Sequence, residues 1–234
     1  MPTQTLNVHN KYIKKDEYTQ ITTNVYKFNN ANDDTNKTNK TNKTNKTNKT
    51  NETNETNETN DNNEIYILYS NACEMKSIDL FKQCKALINN TTKENIIYEI
   101  FLNLALLTSI IGGPIDEVGQ YYTEAIKIYS DRAEPYYYWG IYCNKNKDFN
   151  NSYDLLNKAL LLSYDDAKIK YPTTQLSSYG KYLYDELSVS CYWLKKYDEA
   201  KLFVEKIIGD PDFVNQKERL KMNLEYTLKA LSTN

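Results

Sequence analysis

Residues 132–162 have the sequence RAEPYYYWGIYCNKNKDFNNSYDLLNKALLL. A polar break, residues 144–148, divides it into two halves. In each half, apolar and small residues recur at helical rather than strand spacing. The stretch therefore predicts two antiparallel helices, with the recurring positions Tyr136, Trp139, Gly140 and Cys143 in the first and Ser152, Leu155, Leu156 and Ala159 in the second.

The spacing within this hairpin resembles a tetratricopeptide repeat (TPR). Counted from Ala133 as the first place of a 34-residue unit, Trp139 and Gly140 occupy places seven and eight, and Ala159 occupies place 27. A small residue at place eight lets the two helices approach closely, and a large one at place seven fills the gap between them. One hairpin of this kind cannot bury its own apolar face, so stacked neighbours are expected.

The same order of residues recurs on both sides of the hairpin. Val118 precedes Ser152 by 34 residues, whereas Ala200 follows Ser152 by 48 residues, so about fourteen extra residues lie around 164–180. A last helix over 216–231 is expected to cap the array. We therefore predict an all-α, TPR-like superhelix of helical hairpins, with about three repeats plus the capping helix.

The sequences of these segments resemble those of the repeat modules attached to family-2-type glycosyltransferases, which use nucleotide sugars. The resemblance rests on GGPIDEV (112–118), EAIKIYSDRAEPYYYWGIY (124–142) and YDELSVSCYWLKKYDEA (184–200), and it covers roughly residues 92–232. The catalytic domain of those enzymes has no counterpart in this sequence. The resemblance thus implies a detached helper module and no catalytic activity of its own.

The chain divides into three parts by composition. Residues 1–34 carry scattered apolar side chains without a sustained period and predict a poorly ordered segment, although a short element or docking motif is an alternative. Residues 35–61 repeat Thr-Asn-Lys and then Thr-Asn-Glu, which predicts a low-complexity, disordered linker because no side chain there is apolar. Residues 64–234 form the predicted TPR-like helical repeat domain. The excess of Asn, Lys, Ile and Tyr is typical of an AT-rich genome.

The beginning of the helical domain is less regular than its centre. Ile65, Ile67 and Tyr69 alternate as a short strand or an extended lead-in would. A helix with Ser77 as its N-cap is predicted to follow.

Catalytic and metal-binding residue sets are missing from the sequence. The chain has one histidine, His9, so neither a histidine base nor a histidine metal site can be assembled. Asp185-Glu186 are adjacent on a predicted helix and point to different faces, so they are expected to be solvated surface charges. Asp165-Asp166 resembles the metal-binding acidic pair of a glycosyltransferase, but no nucleotide-sugar fold surrounds it, and a metal site is not predicted there. The sequence therefore predicts a protein that is not an enzyme and needs no cofactor and no metal.

The four cysteines, Cys73, Cys84, Cys143 and Cys191, show no CxxC spacing. Cys143 and Cys191 occupy the same place in two repeats, which predicts reduced thiols in the core.

The formal net charge of −2 and the pI near 5.6 argue against nucleic-acid binding. Since no apolar run is long enough for a signal peptide or a membrane span, a soluble cytoplasmic protein is expected.

Function is expected at the concave face, which the first helices of stacked hairpins line. Such a face predicts a protein-protein interaction scaffold that binds an extended or helical peptide with apolar and basic residues, and not a clamp for chaperone C-termini. The alternative is an accessory or relic module of a glycosyltransferase system, which docks an enzyme or a glycosylation substrate. A further alternative is that the tyrosines of this face only cover a surface and bind no partner. The predicted partner groove comprises Glu134, Tyr137, Ile141, Asn144, Tyr182, Asp185, Val189 and Tyr192.

Overall fold

The computed structural model describes residues 52–233, with side chains from Glu64 onward. Within this range the chain is helical throughout and has no strand, so the all-α prediction is confirmed. Three short 3-10 turns, Leu176–Ser178, Gly180–Tyr182 and Pro211–Gln216, connect longer elements. The α-helices are α1 (Glu52–Met75), α2 (Ile78–Ala86), α3 (Glu94–Ile110), α4 (Ile115–Ile128), α5 (Glu134–Lys145), α6 (Phe149–Leu160), α7 (Tyr164–Lys170), α8 (Leu183–Trp193), α9 (Tyr197–Ile207) and α10 (Lys217–Leu231).

Four of the turns between helices have one geometry. In each, a backbone N–H donates to the carbonyl five residues earlier, which closes the end of the first helix of a hairpin. The donor–acceptor pairs are Ser77 to Ala72 at 3.2 Å, Gly113 to Thr108 at 2.9 Å, Asp148 to Cys143 at 2.9 Å and Lys196 to Cys191 at 2.8 Å. These turns define four helical hairpins: α1–α2, α3–α4, α5–α6 and α8–α9.

The residue before the donor has a left-handed backbone in all four turns. Gly112 has φ of 73°, while Lys76, Lys147 and Lys195 have φ of 51°, 65° and 61°. Left-handed backbone is costly for any residue with a Cβ. The repeated geometry puts Ala72, Thr108, Cys143 and Cys191 in register, and all four are small or medium-sized and buried. The equivalence of Cys143 and Cys191, predicted from spacing, is therefore confirmed.

The hairpins pack in chain order, each against the next, and α10 packs against α9. Gly140 illustrates why the sequence needs small residues at the helix crossings. A Cβ added to Gly140 would lie 2.7 Å from Cγ of Leu156 on the paired helix. One continuous core joins the first hairpin to the last, and a smaller cluster around Phe213 and Leu220 joins α9 to α10.

The structure of the first hairpin contradicts the prediction of a strand or extended lead-in at residues 65–69. They belong to α1 and not to a strand, because Ile65, Tyr69 and Ala72 form a helical face that is buried, whereas Ile67 points outward. The predicted cap of the next helix is confirmed, since Ser77 Oγ accepts a hydrogen bond from the Leu80 N–H at 3.3 Å. The chain thus has a fourth hairpin ahead of the three predicted repeats.

The α1 helix begins at Glu52, inside the tract that the sequence predicts to be a linker. Once the packed part of a helix is nucleated, each further residue adds one hydrogen bond, so the helix extends into the tract. The predictions for residues 1–34 and for 35–51 lie outside the described residues.

The extra residues between α6 and α8 fold into an ordered segment, residues 164–182, which is called the inserted segment below. It contains α7 and two of the 3-10 turns. Ala167, Ser178 and Tyr179 within it are buried, so the inserted segment is part of the core and not a surface loop.

Candidate functional site

The predicted groove is largely filled by the chain itself. Ile141, Tyr182 and Tyr192 are half-buried and remain partly accessible. The expectation of an open groove is wrong for the five others, which are buried: Glu134, Tyr137, Asn144, Asp185 and Val189. The inserted segment covers Glu134, and packing within the array covers the rest.

Glu134, in the first turn of α5, is fully buried and holds the inserted segment by two hydrogen bonds. Its Oε1 accepts from the Gln175 backbone N–H at 2.8 Å, and its Oε2 accepts from the Tyr179 hydroxyl at 3.3 Å. The same hydroxyl accepts from the Ala133 N–H at 3.0 Å, and the Tyr138 hydroxyl donates to Gln175 Oε1 at 2.5 Å. The inserted segment therefore covers the predicted groove at the start of α5.

Arg132 is the centre of this contact. Its Nη2 lies 3.0 Å from Glu134 Oε1 and its Nη1 lies 3.5 Å from Glu99 Oε1, and all three side chains are nearly inaccessible. Nη1 also donates to the Thr173 hydroxyl at 3.1 Å, which in turn donates to Glu99 at 3.2 Å. The guanidinium lies over the Tyr98 ring, 4.3 Å from its centroid.

Two carboxylates face one guanidinium in this buried cluster. Burial raises the pKa of the Glu99 carboxyl; the attraction of Arg132 offsets part of the rise, and the repulsion of Glu134 adds to it. Burial by itself lowers the pKa of Arg132, but Tyr98, Glu134 and Glu99 outweigh it, and the net pKa is raised. Glu99 Oε2 has no hydrogen-bond partner among the described residues. The cluster is therefore held by Arg132 and is sensitive to its loss.

A second contact lies at the accessible edge of the inserted segment. Asp131 accepts from Lys170 Nζ at 2.7 Å and from the Tyr171 hydroxyl at 2.8 Å. Burial raises the pKa of the Asp131 carboxyl, but these two hydrogen bonds outweigh it and the net pKa is lowered. Burial and the contact with Asp131 raise the pKa of Tyr171 to about 12. Because the Lys170–Asp131 pair is exposed, it adds little to the hold on the segment.

The remaining predicted groove residues form contacts inside the array. Asp185 on α8 pairs with Arg219 on α10 through two parallel hydrogen bonds of 2.9 and 2.6 Å. Asn144 on α5 donates to the Glu186 carbonyl at 3.0 Å and accepts from the Ser190 hydroxyl at 2.9 Å. These groups connect neighbouring elements of the array, so their polarity serves packing. The expectation that Asp185 and Glu186 are solvated surface charges is wrong, because both residues are buried.

The accessible members of the predicted set do not form one surface. Tyr182 precedes α8, packs against Phe213 and donates to Asp212 at 2.7 Å. Tyr192 lies near the other end of α8, about 15 Å along the helix, against Trp193 and Tyr197. A contact of Ile141, Tyr182 or Tyr192 with a partner stays a prediction.

Sequence reasoning missed the two arginines. Of the 29 Lys and Arg residues of the chain only Arg132 and Arg219 are arginine, and both pair with buried carboxylates. Arginine suits such places because its planar group bonds a carboxylate twice and keeps its charge. In a chain that otherwise uses lysine, the rarity of arginine was the available signal.

A different accessible site lies between α4 and the α5–α6 hairpin. It is a cleft of about 640 Å³, with the half-buried Trp139 ring against Gly119. A Cβ at Gly119 would lie 3.0 Å from Trp139 Cζ2, so the absence of a side chain there makes room for the ring. The charged residues of its lining are Asp116, Glu124, Lys127 and Asp148.

The cleft lining carries an excess of negative charge, since Asp116, Glu124 and Asp148 outnumber Lys127. Glu124 accepts from Lys127 Nζ at 2.7 Å, and Asp148 accepts from Asn151 Nδ2 at 2.6 Å. Asp116 is exposed in the first turn of α4. The cleft therefore offers an aromatic ring beside an excess of carboxylates, a combination that suits a cationic side chain.

The surroundings of the four cysteines disfavour ionisation of their thiols. Burial raises the pKa of Cys73, Cys84, Cys143 and Cys191 to about 12 each, which disfavours the reactive thiolate. All four are free and buried, as the sequence predicts. In the same part of the chain, no group of three His, Cys, Asp or Glu residues could hold a metal ion.

No helix among residues 52–233 has the length and apolar character needed to span a bilayer. Comparison with known proteins gives no relative for this chain: no family model matches it, and neither does a curated protein or a solved structure.

Proposed function

We propose that this chain is a non-catalytic, TPR-like interaction scaffold that binds a protein or peptide partner. The observation that carries the proposal is the series of four stacked hairpins with one turn geometry, followed by the single helix α10. Arrays of this kind offer long surfaces whose residues vary without disturbing the fold. The TPR-like superhelix and the absence of catalysis are parts of the same proposal.

The partner site of this proposal is the cleft beside Trp139, since the inserted segment occupies the face that the sequence favours. The partner is a segment of another protein that carries lysine or arginine side chains. Support comes from the accessible ring of Trp139 and from Asp116, Glu124 and Asp148, which outnumber Lys127 at the cleft. Opposite charge at such a surface speeds association and excludes acidic competitors.

A peptide array tests this site with a matched pair of variants. Asp116→Lys reverses an exposed charge in the first turn of α4, and Asp198→Lys makes the same change in the first turn of α9, away from the cleft. We expect the unaltered chain and Asp198→Lys to select the same basic peptides, and Asp116→Lys to lose them. Equal selection by all three, or selection of acidic peptides, would contradict the site.

The non-catalytic part of the proposal needs a separate measurement. The purified full chain is incubated with nucleotide sugars, and release of the nucleotide is followed. No turnover is expected, because the four cysteines are buried with raised pKa values and the sequence has one histidine. Turnover that persists after repurification would overturn the scaffold proposal and favour an enzyme. In a separate binding experiment, selective capture of a sugar-transfer enzyme by the chain would favour the accessory role.

A further inference from the structure

The first hairpin has a largely apolar cleft on its accessible side. The cleft measures about 620 Å³ and lies between α1 and α2. Ile67 is 64% exposed, an unusual state for an isoleucine in a helical array. The other lining residues are Glu64, Leu68, Asn71, Gln83, Ala86 and Leu87.

Alignment of the four hairpins on their shared turn shows which residues of the later hairpins correspond to the cleft residues. Ile67 corresponds to Asn103, Tyr138 and Glu186 in the later hairpins, and all three are buried. Asn71 corresponds to Leu107, Tyr142 and Ser190, which are buried as well. Positions that are exposed on α1 are therefore covered wherever a hairpin has a predecessor.

The contacts of three of the corresponding residues, Glu186, Ser190 and Tyr142, show that the preceding hairpin covers them. Glu186 and Ser190 on α8 bond Asn144 on α5, and Ser190 Oγ also lies 2.9 Å from Ser152 Oγ on α6. The Tyr142 hydroxyl on α5 donates to the Gly113 carbonyl in the preceding turn. The α1–α2 cleft is thus the position of a preceding hairpin, and no described residue fills it.

We propose that residues 16–28 of the same chain dock as a helix in this cleft and take the place of the missing second helix. Although the apolar residues of 1–34 as a whole show no sustained period, four of them are spaced three, four and three apart: Tyr18, Ile21, Val25 and Phe28. A helix would carry these four on one face. The segment has thirteen residues, and the second helices of the later hairpins have 14, 12 and 11.

The intervening chain has a suitable length for this return. Leu68 lies about 24 Å along α1 from Glu52, where the described structure begins. Residues 29–51 number 23, and a flexible chain of that length would have a root-mean-square span of about 26 Å. The effective concentration of the segment at the cleft is then in the millimolar range, so a weak intrinsic affinity suffices.

Cysteine labelling of the full chain tests the docking, because the four native cysteines are buried. A single Ile67→Cys substitution places a thiol at the exposed centre of the cleft. We expect this thiol to be alkylated about ten-fold more slowly than that of Leu228→Cys on α10, where the native side chain is 44% exposed. Ile21→Asp in the same chain should restore the fast rate.

A cross-link distinguishes the possible occupants of the cleft. The variant with Val25→Cys and Ile67→Cys is treated with a short bis-maleimide at increasing dilution. An intramolecular link that persists on dilution, and that Val25→Cys with Leu228→Cys does not form, is the expected result. Links between two chains would assign the cleft to a second copy. Fast alkylation of Ile67→Cys without any link would show that the segment does not dock, and either result overturns the proposal.

Discussion

The first and third hairpins contain the same turn but differ in how their faces are covered. On α5, Glu134 and Tyr138 are buried under the inserted segment and the preceding hairpin, whereas Ile67 on α1 is exposed. Helical periodicity predicts which side of each helix faces its paired helix. It does not predict what covers the other side, because that depends on distant parts of the chain.

The largest effect is expected from breaking the cluster that covers the third hairpin. Arg132→Ala leaves Glu99 and Glu134 buried without their cation, and should lower the free energy of unfolding by about 3–5 kcal/mol. Urea unfolding followed by circular dichroism measures it. Lys82→Ala at the first hairpin removes an exposed pair with Glu117 and should change stability by less than about 0.5 kcal/mol. Similar losses in both variants would contradict the special role of the buried cluster.

A second effect tests the close approach of α5 and α6. Gly140→Ala places a Cβ 2.7 Å from Leu156 Cγ, and displacement of that side chain should cost about 2 kcal/mol. Gly209→Ala is the control, since nothing lies within 4 Å of its Cβ, and its effect should stay within about 0.5 kcal/mol. Thermal melts compare the two variants. An unchanged melt for Gly140→Ala would mean that the helices can separate without loss.

A third test uses pH and the raised pKa of Glu99. The folded state holds this proton more tightly than the unfolded state, so the contribution of Glu99 to stability is fully present below the unfolded pKa, near 4.3, and declines as pH rises through the folded pKa. Glu99→Gln removes the titration. The stability of this variant relative to the unaltered chain should therefore rise from pH 4 to pH 8.

Chemical denaturation at several pH values measures this difference. Glu205→Gln, an exposed change on α9, serves as the control and should show a much weaker trend. A relative stability of Glu99→Gln that falls as pH rises would show that Arg132 lowers the pKa of Glu99 by more than burial raises it.

These tests also mark how far the sequence predicts the structure. The hairpin, its recurrence and the place of the insertion follow from local spacing, as with Val118, Ser152 and Ala200. The first hairpin was missed although Ile65, Tyr69 and Ala72 have helical spacing, because the shorter alternation with Ile67 resembles a strand. The groove residues were assigned from their place in the unit, and no local rule predicts that the inserted segment folds back onto Glu134.

The smallest effect returns to the turns that the first and third hairpins share. Lys147 has a left-handed backbone that glycine adopts freely, so Lys147→Gly should stabilise the protein by about 0.5 kcal/mol after the greater entropy of the unfolded glycine is subtracted. Lys145→Gly, two residues earlier at the end of α5, should instead destabilise it by up to about 1 kcal/mol. Both substitutions remove one lysine charge. Opposite signs of the stability change would therefore show that the gain in Lys147→Gly comes from the backbone conformation.

Lys76→Gly makes the same change in the turn of the first hairpin, and it extends the comparison to the whole array. If the first hairpin unfolds together with the third, Lys76→Gly should raise the melting temperature as much as Lys147→Gly does. Residues 16–28, docked in the cleft beside Ile67, would give the first hairpin a neighbour on both sides, so we expect equal gains. A smaller gain for Lys76→Gly would show that the first hairpin is less firmly held than the third and would speak against a covered cleft.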